Sequence, residues 1–208
     1  MAPDRPPSPL TPVQVRALIA PARQELVDVL ESAGPSSVAE LGALLGRPAD
    51  ALYHHLRRLE KVGLVQEHER RKNGRHAFAV YELSRRPVRL SYAAPNRAPD
   101  IARVVASAQR VTWREFRRAL TAGSGVAEGP LRTLRGGRAK GWVTPRQLTR
   151  VNELLEELMT TLASGTPGED ATPISVSFLL APSPAKRTRG ASAGRRTRNP
   201  SNPRNARP

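Results

Sequence analysis

The chain has 208 residues and no cysteine, which excludes disulfides, thiolate metal sites and a cysteine nucleophile. Its 34 Lys and Arg outnumber 18 Asp and Glu for a formal net charge of +16, an imbalance whose natural partner is a polyanion. Four histidines without a carboxylate constellation assemble no catalytic site, so neither an enzyme nor a bound metal or cofactor is expected.

The charge is unevenly placed. Residues 1–84 carry +1, residues 85–140 carry +10, residues 141–185 carry −3 and residues 186–208 carry +8. Most of the basic residues are arginine, whose planar fork suits phosphates and guanine edges. A GC-rich genome would produce the same Arg, Ala and Pro enrichment, and composition alone does not separate the two.

The opening MAPDRPPSPL is proline-rich and lacks the apolar core of a signal peptide, so residues 1–11 read as a disordered lead. No stretch has the roughly 18 apolar residues of a membrane helix, so a soluble, cytoplasmic protein without a membrane partner is expected. From Pro12, Val15, Leu18 and Ile19 share a helical face. Pro21 opens a second helix with Leu26, Val27, Val29 and Leu30 as its stripe, and Gly34-Pro35 stops it. Ser37 with Glu40 three residues on forms a capping box for a third helix, with Val38, Leu41, Leu44 and Leu45 facing inward.

After the Gly46-Arg47 turn, Pro48 starts a fourth helix over 48–62. Leu52, Leu56, Leu59 and Val62 lie on one side of it. Asp50, His54, Arg57 and Lys61 lie opposite, with Tyr53 at the flank. Two helices joined by a tight turn, the second polar outside, form a helix-turn-helix pattern. Adjacent His54 and His55 diverge by about 100° on a helix and suit a single ion poorly, so a DNA-facing His54 and a half-buried His55 are expected. Asp50 either accepts from a cytosine N4 or stabilises the helix N-terminus. Two β-rich runs, LVQEHERR and HAFAVYEL, then flank Lys72-Asn73-Gly74-Arg75, and Asn-Gly predicts a type I′ hairpin over 64–83.

The stretch AELGALLGRPADALYHHLRRLEKVGLV, from Ala39 to Val65, and the hairpin through Leu83 resemble the ArsR-type winged helix-turn-helix transcriptional regulators. The resemblance implies a dimeric, sequence-specific DNA-binding regulator. Its base edges would be met by Tyr53, His54 and Arg57, with Arg47, Arg58 and Lys61 beside them. Its hairpin would lay Arg70, Arg71, Lys72, Asn73, Arg75 and His76 on the backbone. The family's metal sensors carry cysteine pairs on the helix before the turn. Here that helix reads VAELGALL, which points to a branch that senses no metal.

Residues 85–99 read as a linker and 100–122 as an amphipathic helix carrying Ile101, Val104, Val105, Val111, Trp113 and Phe116. The segment GSGVAEGPLRTLRGGRAKG is a Gly-rich basic loop without the features of a phosphate-binding loop. Thr144-Pro145 opens a strong helix, in which Leu148, Val151, Leu155, Leu158 and Leu162 repeat three and four apart. That seam is read as a dimer contact; the alternative is the core-facing side of a globular helix. ISVSFLLAP, 174–182, alternates as a short strand, and residues 183–208 read as a disordered basic tail. Whether the C-terminal half holds an effector pocket stays open.

The expected fold is therefore mainly α with a β-hairpin wing. A winged helix-turn-helix over 12–84 is followed by a mostly helical dimerisation region over 100–182 with one short strand. The expected partner is double-stranded DNA. The alternatives are a nonspecific nucleoid-associated or RNA-binding protein driven by the basic segments, and a protein-interaction adaptor.

Overall fold

The computed structural model describes residues 9–73, 76–93 and 95–183. The readings placed on residues 1–8, 74–75, 94 and 184–208, most of the basic tail included, lie outside these. The chain is mainly α with a β-hairpin, a winged-helix unit followed by a helical C-terminal region.

The N-terminal unit is built from leucine stripes that meet at one centre. Helix α1 (Pro12–Ala17) starts with a capping box: the Gln14 N–H donates to the Thr11 hydroxyl at 3.3 Å, and the Gln14 side chain accepts from the Thr11 N–H at 3.0 Å. Helix α2 (Pro21–Ala33) delivers Leu26, Val27 and Leu30 to the core. Helix α3 (Val38–Leu45) carries the Ser37–Glu40 capping box, the Ser37 N–H donating to Glu40 at 2.6 Å. Helix α4 (Asp50–Lys61) adds Leu52, Leu56 and Leu59, none of them exposed to solvent. Leu10 falls in the stretch expected to be disordered. It is nevertheless buried, and its carbonyl accepts from Arg97 at 2.7 Å.

Strands β2 (Val65–Asn73) and β3 (His76–Leu83) form the hairpin. A third strand, β1 (Ser36–Ser37), pairs antiparallel with β3, giving the order β1-β3-β2. Sequence reasoning saw Ser37 only as a helix cap; two residues are too short to carry a strand pattern. The last ladder pair is Asn73 with His76, where a turn centred on Asn73-Gly74 would pair 72 with 75. An irregularity between Glu67 and Glu69 absorbs one residue of β2.

The segment expected as a linker is tied down along α2. The Arg86 guanidinium donates to the Leu30 carbonyl at 2.6 Å, and the Val88 N–H donates to Glu31 at 3.2 Å. After a 3₁₀ turn (Pro95–Arg97), helix α5 (Ala98–Ala122) packs its first half on α1 and α2. Ile101 and Val104 join the same core as Leu26 and Leu56. The Gln24 side chain donates to the Val104 carbonyl at 2.9 Å.

Beyond α5 the character changes. Helix α6 (Pro145–Ala163) is capped by Thr144 and Gln147, yet buries none of its residues. Residues 174–182, expected as a strand, have no ladder among the described residues. Alternating side chains qualify a segment for a sheet, but only a neighbouring edge makes it a strand. Polar contacts among the described residues tie this region back: Arg89 to Glu156 at 3.2 Å, and the hydroxyls of Thr112 and Ser175 at 3.3 Å.

Asp28 on α2 carries a testable consequence of this packing. Crowding by the protein, then the negative charges of Glu31, Glu115 and Glu25, push its carboxyl up to about 7. A carboxyl raised in the folded state contributes stability below its unfolded pKa, and that contribution is lost as pH rises through about 7. Asp28→Asn is therefore expected to leave the melting temperature unchanged near pH 4 and raise it above pH 7. The side chain is exposed, so screening holds the gain to about 1 kcal/mol or less. Melting curves across that range check it, and a gain confined to acid pH would contradict the sign.

Candidate nucleic-acid interface

The candidate surface is the outer side of α4. Its inner side is anchored by Leu52, Leu56 and Leu59, while Tyr53, His54, Arg57, Arg58 and Lys61 are exposed. Asp50, Tyr53, His54 and Arg57 line a shallow concavity along the helix. Asp50 is the first helical residue, so its negative charge sits at the positive end of the helix.

The turn before α4 is tight because two glycines allow it. Gly46 ends α3 in the left-handed region at φ 61°. A Cβ on Gly42 would stand 2.8 Å from the Arg47 carbonyl, too close for any side chain without movement. Arg47, expected among the DNA contacts, is drawn inward: its guanidinium donates to Glu25 at 2.6 Å. The other oxygen of Glu25 accepts from Arg114 of α5. Glu25 is nearly buried, so one carboxylate clamps the start of α4 to α5 through two guanidinium groups. Sequence reasoning missed this clamp, because an acid on α2 and an arginine 89 positions later share no spacing rule.

The two histidines separate as expected. His54 is exposed and His55 half-buried, their ring centroids 3.9 Å apart at 45°. Burial, then the positive charges of His54, Arg23 and Arg47, lowers the His55 pKa, so its imidazole is neutral at pH 7. No cluster of three or more metal-ligating side chains occurs among the described residues.

On the hairpin the cations have carboxylate company. Arg70 donates to Glu67 at 2.7 Å and Arg71 to Glu69 at 2.6 Å, with Glu40 a further 3.9 Å neighbour of Arg71. Lys72 is exposed. Asn73 and His76 form the last pair; their side chains and Arg75 lie outside the described residues. His68, which carried no role in the sequence reading, pairs with Glu82 at 3.1 Å. The half-buried Tyr81 of β3 lies beside Tyr53, Glu60 and Arg57, and burial raises its phenol pKa.

The five seam residues of α6 lie on one side of a helix that has no fully buried residue among the described residues. Leu148 and Leu158 are exposed, and Val151, Leu155 and Leu162 are half-exposed.

A family model described as a helix-turn-helix domain matches residues 18–68, from the end of α1 into the first strand of the hairpin. No curated protein matches the chain. The chain carries a helix-turn-helix module of the DNA-binding kind, consistent with a winged helix-turn-helix regulator. No described helix is long and apolar enough to cross a membrane.

Proposed function

We propose that the protein is a non-enzymatic, sequence-specific transcriptional regulator that binds double-stranded DNA in the cytoplasm as a homodimer, with an ArsR-like reading head. One observation carries this: α4 presents a continuous polar and basic face while three fully buried leucines hold its back. A helix enters the major groove productively only when its outer side chains can reach base edges and its own position is rigid. Tyr53, His54 and Arg57 read bases in this account. Arg58 and Lys61 meet the backbone, and the hairpin cations Arg70, Arg71 and Lys72 lie on the adjacent phosphates. Arg47 acts indirectly, by fixing the turn. The exposed seam of α6 pairs two copies, so the target is an inverted repeat.

Selection of duplexes from a random-sequence library, at physiological salt with excess nonspecific competitor, tests the proposal. An enriched inverted repeat is expected. Binding without any enriched motif, collapsing as salt rises, would favour the nonspecific nucleoid or RNA-binding alternative. Arg57→Ala should relax preference at one position of each half-site, at about 1–3 kcal/mol, with the melting temperature unchanged. An unaltered selected motif would overturn the orientation assigned to α4.

A further inference from the structure

The geometry points to a second duplex-binding site on α5, for phosphates other than those met by the hairpin. It rests on the reading of α4 as the groove-inserted helix. At about 100° per residue, Arg110, Arg114, Arg117 and Arg118 fall within an arc of about 100° on α5. The stripe runs between the buried Val104 and Val111 on one side and Trp113, Phe116 and Leu120 on the other. Arg110, Arg117 and Arg118 are exposed, and their guanidinium groups have no carboxylate or hydrogen-bond partner among the described residues. The hairpin's Arg70 and Arg71, by contrast, are both paired with glutamates. The cations of α5 are thus the less encumbered of the two sets.

Their position follows from the clamp. Arg114 meets the same carboxylate as Arg47, which directly precedes α4, so the stripe emerges beside the start of the recognition helix. Strand β2 of the hairpin packs against α4, while α5 meets the start of α4 through Glu25, so the two sets of cations approach α4 from separate elements. Glu115, the acid of this half of α5, lies outside the arginine arc and adds negative charge near the Asp28 carboxylate of α2.

The test uses the full chain with Arg110→Gln, Arg117→Gln and Arg118→Gln together, Arg114 being kept for the clamp. Dissociation constants are measured over a range of salt on a selected duplex and on an unselected one. Each lost phosphate contact lowers the slope of log K against log salt by about 0.9, so a fall of between two and three is expected. Affinity at physiological salt should drop roughly tenfold to a hundredfold while the ranking of sequences is kept. Ethylation interference should show the phosphates lost in this variant to be distinct from those lost in Lys72→Ala.

An unchanged slope with a normal melting temperature overturns the inference. So does loss of the dimer in sedimentation, which would assign the stripe to the acidic face of another copy's α6 (Glu153, Glu156 and Glu157). Loss of the same phosphates in both would overturn it as well. A wild-type chain without sequence preference would sink the regulator reading alone, and the slope on unselected duplex would still decide the stripe.

Discussion

Replacing Leu56 by alanine is expected to lower the unfolding free energy by about 2–5 kcal/mol and to remove specific DNA binding with it. Leu56 has no exposed surface and belongs to the core that joins α2, α4 and the first half of α5. Truncation loses the transfer energy of the isobutyl group and leaves a void that flanking leucines of three helices cannot all close. The same leucine fixes how far α4 stands out from the body, so the loss falls on the reading face as well as on stability. Urea denaturation of the variant beside Tyr53→Ala separates the two contributions. Tyr53 is 44% exposed, and its truncation should shift the midpoint little while weakening binding. A loss below about 1 kcal/mol for Leu56→Ala would mean that α4 is not anchored through this side chain.

The helix-turn-helix module was legible in the sequence because its determinants are local. The Ser37–Glu40 capping box, the Gly46 turn and the leucines of α4 each lie within one or two helical turns of what they specify. The hairpin was legible for the same reason, but its register was not. The irregularity between Glu67 and Glu69 belongs to the pairing of two strands, and a turn dipeptide says nothing about it. The Glu25 clamp, the β1 strand and the docking of α5 onto α1 and α2 are nonlocal, and only the folded chain brings their partners together. Arg47 precedes α4, where the sequence suggests a DNA contact, and its guanidinium also meets a carboxylate on α2 that no spacing rule points to. In 174–182 the apolar alternation was read correctly as a pattern, but the sheet edge it needs is missing from the described residues.

Placing glutamate at both Leu155 and Leu158 is expected to convert the protein to a monomer and to weaken binding to an inverted repeat by about 10²–10⁴-fold. That range is the gain usually supplied by linking two readers. The expectation follows from an imbalance in the chain. Leu148, Leu154, Leu158 and Met159 of α6 are all exposed, together with Trp142 and Val143 before it and Ile174, Val176 and Phe178 after it. Exposed apolar side chains gathered along one helix mark an interaction site. Charges at two central seam positions would be left unpaired and desolvated if the copies still met there. The N-terminal module does not rest on α6, so its melting transition should be retained, as should affinity for a single half-site. Retention of the dimer, with affinity for the inverted repeat intact, would move the pairing surface away from this seam. The outward side of α5, where Trp113 and Leu120 are also exposed, would then be the face to substitute next. Loss of the dimer without loss of affinity would instead mean that each copy reads DNA alone, and the inverted-repeat requirement would fall while the role of α4 remained.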